Sequence, residues 1–138
     1  MRIIVGTVAD TKDGFHVAAD CLRPVLHLIE ARMGLPRLVD GTLNVRIPED
    51  YVVTAQAVIT PAEYEFNDAL KLQRCLVEGY QAIIMRPDTH ETIPGWGHGT
   101  NHFELMGRVH FRETLGLRDG STVELQIEGD DAWWESGR

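Results

Sequence analysis

The chain has 138 residues, 43% hydrophobic and 25% charged, with 21 acidic against 13 basic side chains and a formal net charge of −8. That length suits one domain able to bury a core without staples, and the acidic balance opposes binding to nucleic acid or to an anionic membrane, whose phosphates need a basic face. No apolar run is long enough to cross a bilayer and no signal-peptide pattern opens the chain, so a cytoplasmic protein is expected.

Ile3 to Val8 reads as a strand, Asp10-Thr11-Lys12-Asp13-Gly14 as a turn, and Phe15 to Ala18 as a short second strand. Asp20 is placed to cap a helix running to Met33, with Pro24 tolerated near its first turn. Leu22, Leu26, Ile29 and Met33 recur at helical spacing and give that helix one apolar, core-facing side. Gly34 and then Pro36 end it. Cys21 and Cys75, far apart and without a CxxC neighbour, read as reduced, buried thiols. Short strands follow from Thr42 onward, including Ala55 to Thr60, Leu70 to Val77 and Tyr80 to Arg86, with Gly79 marking a tight connection. Val109 to Leu115 reads as a short helix ended by Gly116. Asp119-Gly120 then turns into a strand in which Val123, Leu125 and Ile127 alternate with polar residues. Short strands at this spacing, with one amphipathic helix and one short helix, predict a mainly β fold, a small closed barrel rather than a layered α/β arrangement. The expected organisation is one domain over residues 1–129 and a tail over 130–138, either frayed or docked through Trp133 and Trp134.

The run Gly41-Thr42-Leu43-Asn44-Val45 carries the most chemistry. Alternate side chains of a strand share a face, so Thr42 and Asn44 project together. A hydroxyl and a carboxamide converging in this way can hold a hard cation or phosphate oxygens. The plain alternative is the wet face of a half-exposed strand. Much later comes Phe103-Glu104-Leu105-Met106-Gly107-Arg108-Val109-His110-Phe111-Arg112, continuing through Leu115-Gly116-Leu117 to Asp119-Gly120 and Val123. Together the two segments resemble the archaeal CTP-dependent riboflavin kinase family, which carries a P-x-x-G-T-L-N-[VI] run and a late L-E-I-I-A-P-x-x-L-R-x-x-L-x-L-x-D-G-D-x-V segment. The G-T-L-N-V core is identical here, and the likeness runs from about Ile4 to Ile127.

The resemblance implies a compact six-stranded barrel of the cradle-loop kind. It also implies transfer of the γ-phosphoryl group of CTP, or another nucleoside triphosphate, to riboflavin to give FMN. Thr42 and Asn44 would ligate Mg²⁺ beside the nucleotide phosphates. Neutral ligands suit that ion, which keeps waters and takes its anionic contacts from substrate. Thr11, Lys12, Asp13, Gly14 and Phe15, in the loop before the second strand, would cradle the nucleotide, as would Val109, His110, Phe111 and Arg112. Glu104 would orient the flavin, and Thr89, or in competition Thr100, would contact its phosphate. The chain departs from the family in two places. Only Gly14 stands where several glycines are usual, next to Asp10 and Asp13, and Arg108 replaces a usual proline.

Two further readings stay open. The glycine-poor loop suits a non-catalytic flavin- or nucleotide-binding module on the same barrel. His90, His98 and His102, with Asp88, Glu91 and Glu104, form a possible Zn²⁺ set for a metal-dependent enzyme. The glycine-rich interval around Trp96 suggests a flap whose indole stacks on a flavin ring.

Overall fold

A computed structural model describes residues 1–9, 22–63 and 68–138. Seven antiparallel strands are present among them: β1 (Arg2–Val8), β2 (Leu43–Arg46), β3 (Ala57–Ile59), β4 (Leu70–Val77), β5 (Tyr80–Pro87), β6 (His102–Gly107) and β7 (Thr122–Ile127). Their order is β3-β4-β5-β6-β2-β1-β7, and a further pairing of β4 with β7 closes six of them into a barrel. One edge of β4 does two jobs. Its first half pairs with β3, through Lys71 opposite Val58, and its second half pairs with β7, through Val77 opposite Leu125. β3 is therefore an outlying strand beside the barrel seam. β4 and β5 are joined by Glu78 and Gly79, both at positive φ (48° and 80°), the backbone a two-residue hairpin turn requires.

Alternation along the strands separates two cores. Ile4, Val45, Ile84, Phe103, Leu105 and Leu125 fill the barrel interior. Leu72, Ile83, Met85 and Met106 point outward and are covered by helix α1 (Leu26–Met33), chiefly its Ile29 and Met33. The expected stripe thus meets the core, with Leu26 only partly buried. Pro24 lies in a 3-10 turn at Arg23–Val25, and the regular α-helix after it runs from Leu26 to Met33. Gly34 ends it in the left-handed conformation (φ 64°).

The expected strand at Ala55 to Thr60 shrinks to Ala57–Ile59, and the expected helix from Val109 begins only at Phe111 (α3, Phe111–Leu115), since His110 is extended. Two short helices carry no clear signal in the sequence: α2 (Thr89–Thr92) and α4 (Asp131–Glu135). The second of these docks the tail. Trp134 is buried under Arg74, and Trp133 Nε1 donates to Gln126 Oε1 at 3.1 Å. Cys75 is a free thiol inside the barrel, its pKa pushed up by burial. The turn and strand expected over Asp10 to Ala18, the Asp20 cap and Cys21 lie outside the described residues. No helix among the described residues is long and apolar enough to cross a membrane.

Candidate active site

β2 lies between β1 and β6, with Asn44 directly opposite Glu104 and Arg46 opposite His102. Side chains directly opposite in an antiparallel pair share a face. The outer face of this part of the barrel therefore carries two polar pairs, Asn44 with Glu104 and Arg46 with His102, and Thr42 continues the row one residue before β2 starts. Thr42 and Asn44 do share a side, but it is not wet at Asn44. That residue is 1% exposed.

Asn44 Oδ1 lies 2.6 Å from His102 Nε2, and Asn44 Nδ2 is buried with no partner. An amide oxygen only accepts, so in this orientation the imidazole Nε2–H donates; burial, with His98 and Arg46 adding to it, holds the ring pKa down to about 3 and keeps it neutral. Turning the carboxamide over exchanges the roles: Nδ2 then donates to the other tautomer of His102, and Oδ1 takes the unpaired position. In that second orientation the free end is the oxygen, and a buried amide oxygen with the other end held fits a hard-cation ligand. Thr42 adds a second oxygen, whose hydroxyl donates to Glu104. Burial raises the Glu104 pKa above the ordinary carboxylate value, and that hydrogen bond pulls the other way.

Gly41 and Thr42 also form one wall of a cleft of about 210 Å³, whose opposite wall is Val109, His110, Phe111, Arg112 and Glu113. Two segments almost seventy residues apart in sequence thus meet at one opening. Gly107 makes this wall possible. A Cβ there would sit 2.5 Å from Phe111 Cζ, so only glycine lets the ring pack at the start of α3. Arg112 is not a free phosphate fork. One of its Nη atoms donates to Asp119 Oδ1 at 2.7 Å and to the carbonyl of Ala9 at 3.0 Å, while its Nε is buried without a partner. Ala9 in turn donates its N–H to the Asn44 carbonyl at 2.9 Å. The root of the 10–21 segment is therefore tied to both walls of the site. Thr11, Lys12, Asp13, Gly14 and Phe15 themselves lie outside the described residues.

The other candidates stand apart. Thr89 opens α2, and both its hydroxyl and its N–H are donated to the Asp68 carboxylate. Thr100 donates its hydroxyl to Asp50 at 2.7 Å. The histidine set does not assemble into a metal site. The rings of His98 and His102 stack at 4.2 Å, 14° from parallel, and Asp88 and Glu91 pair with Lys71. Among the described residues no group of three or more His, Cys, Asp or Glu side chains is arranged to hold a metal ion. Glu91 instead receives the buried Arg86, which also donates to the carbonyls of Tyr51, Thr100 and His102. This bracket, which fixes the start of β6, went unread in the sequence. The sequence does hold a signal for the Asn44 partner: His102 and Glu104 repeat, on β6, the polar i, i+2 spacing of Thr42 and Asn44.

A closed, six-stranded antiparallel barrel is the architecture expected of the resemblance. Residues 28–127, more than half the chain, match the model of the CTP-dependent riboflavin kinase family, described as a domain of unknown function. The chain belongs to that family. It is 32% identical over 92 residues to a riboflavin kinase of Methanocella arvoryzae, covering 64% of this chain and 40% of the relative. It is also 29% identical over 109 residues to a riboflavin kinase of Pyrobaculum arsenaticum, covering 72% of this chain and 48% of that protein. The matched stretch spans less than half the length of each of these relatives.

Proposed function

We propose that this chain is a cytoplasmic phosphotransferase that moves the γ-phosphoryl group of CTP to the terminal ribityl hydroxyl of riboflavin, giving FMN. The observation that carries the reading is the cleft in which Gly41 and Thr42 face Val109 to Arg112, with the unpaired amide end of Asn44 in the same row of side chains. Thr42 and Asn44 would hold Mg²⁺, which supplies neutralisation of the phosphate charge when bound. Val109, His110, Phe111 and Arg112 hold nucleotide. Arg112 acts mainly by anchoring Ala9 rather than by gripping phosphate, and Thr11 to Phe15, which follow in sequence, are assigned to the nucleotide as well. Glu104, beside Thr42, accepts from the flavin ring edge. Thr89 meets the flavin phosphate only if Asp68 releases its hydroxyl. Phosphoryl transfer through a loose transition state depends on placement more than on a strong base, so a site without an obvious base is chemically adequate.

The engagement of Arg112 with Asp119 and of Thr89 with Asp68 favours a second reading, a flavin- or nucleotide-binding module without catalysis. Incubation with riboflavin, Mg²⁺ and each nucleoside triphosphate in turn separates the two. The kinase reading expects FMN with a pyrimidine nucleotide preferred. Tight flavin binding with no FMN from any triphosphate establishes the module.

A further inference from the structure

We propose that a cleft on the far side of Val109 is a second anion site, taking a small phosphate-bearing ligand. Its volume is about 350 Å³, within the roughly 300–1,000 Å³ usual for small-molecule sites. The described residues lining it are Arg37, Tyr80, Gln81, Arg108, Val109 and Arg138. Three of the chain's 13 basic residues thus meet at one opening with no carboxylate side chain among the lining residues, the backbone carboxylate of Arg138, held by the Gln81 N–H, offsetting one of the three charges.

None of the three guanidiniums takes part in an ion pair among the described residues, whereas Arg2, Arg32, Arg74, Arg86 and Arg112 all do. Arg108 and Arg138 are instead held in place by uncharged contacts. Arg108 donates one N–H to Gln81 Oε1 at 3.0 Å, and Gln81 is itself fixed by donating to the Trp134 carbonyl at 2.9 Å. Arg138 lies over the Tyr80 ring at 5.6 Å. Its backbone is pinned on both sides, its N–H to Gly79 and its carboxylate from Gln81, each at 2.9 Å. Arg37 has a left-handed backbone (φ 59°), uncommon for a residue with a side chain, and the two residues after it are tied down by Glu30 and Gly107. Like charges gathered in this way repel one another, and a ligand with several anionic oxygens relieves that repulsion through charge-assisted forks. A phosphate anhydride or ester has that oxygen density. The docked tail then has a use: it delivers the third arginine.

Calorimetric titration with inorganic pyrophosphate, FMN and CDP, in chelator so that no divalent cation occupies the Thr42 cleft, tests the site. Stoichiometric binding of at least one probe is expected. Arg37→Gln with Arg108→Gln should weaken it about tenfold or more, whereas Arg2→Gln, which removes a surface arginine outside both clefts, should leave it within about twofold. The probe that loses most affinity names the source of the phosphate, bare, flavin-borne or nucleotide-borne. Unchanged urea midpoints for the double variant would place its effect on the site rather than the fold. Absence of binding by all three probes, or affinities unchanged by Arg37→Gln with Arg108→Gln, overturns the proposal.

Discussion

The carboxamide of Asn44 and the imidazole of His102 lie 2.6 Å apart on adjacent strands, both largely out of water, and each holds the other in a defined orientation. His102 leaves the opposite end of the amide unpaired. The arrangement is a fixed polar pair on the outer face of the barrel, and under the proposed function it gives Asn44 a structural role and a ligating one together.

Asn44→Ala should therefore fail in two separable ways. Removing the amide strands a buried imidazole nitrogen, at a cost of about 1–3 kcal/mol in urea unfolding. It should also abolish Mg²⁺-dependent nucleotide binding, which Thr42→Val should weaken with a smaller loss of stability. Normal phosphoryl transfer by Asn44→Ala removes the metal assignment.

His102 gives the fold a definite acid sensitivity. Its pKa is about 3 in the native protein, against about 6.5 when exposed in the unfolded chain. Between those values the unfolded state binds the extra proton, so stability falls as pH drops through about 6.5 toward 3, by up to about 1.4 kcal/mol per pH unit, and is insensitive to this group above that range. His102→Gln keeps a donor for Asn44 without the titration. Urea midpoints followed from neutral to mildly acid pH should fall less steeply for that variant, and equal slopes would assign the acid sensitivity to other groups.

A third expectation concerns the buried Arg86–Glu91 pair. Arg86 is 2% exposed, and burial lowers its pKa only to about 10, so it is charged at neutral pH. Glu91→Ala leaves that charge without its carboxylate and should cost about 3–5 kcal/mol. Glu91→Gln preserves an acceptor for Arg86 and for the Val53 N–H and should cost less. Equal unfolding midpoints for Glu91→Ala and the parent protein would show that the bracket contributes nothing to stability.

Much of this barrel is legible along the chain because local signals agree with tertiary ones. Leu70 to Val77 and Tyr80 onward are bounded by a Glu-Gly turn, and β7 alternates cleanly because one face meets the core. β2 is harder. Leu43, Asn44 and Val45 are all buried, so alternation identifies which side chains share a side but not that both sides are covered. What dries Asn44 is His102, from a strand almost sixty residues later, and no window of sequence contains that contact. Glu91 misleads for the same reason: a carboxylate among histidines suggests a metal, and only the fold reveals Arg86 and Lys71 against it. The tail's docking rests on Arg74 and Gly79, distant along the chain, and on nearby Gln126, none of which hydropathy marks.

The final expectation concerns Trp96. It is 57% exposed, in a stretch where Gly95, Gly97 and Gly99 all have positive φ, and the stretch is held at its base where Gly97 packs against His90, whose Nε2 would lie 2.2 Å from any Cβ there. An exposed indole on a glycine-built loop with one fixed end can move onto a flat ligand at small cost to the barrel. The optical readout is favourable, because Trp134 is buried and Trp133 is partly covered, so a soluble quencher should reach Trp96 most readily. Riboflavin should protect Trp96 from that quencher, and Trp96→Ala should weaken riboflavin binding by roughly 1–3 kcal/mol, the scale of stacking a base on an aromatic ring. Trp133→Phe serves as the control, since Trp133 faces Gln126 rather than the site. Gly97→Ala, which collides with His90, should displace the loop and reproduce part of the affinity loss. If Trp96→Ala binds riboflavin as tightly as the parent and its quenching is unchanged by ligand, the indole takes no part in flavin recognition.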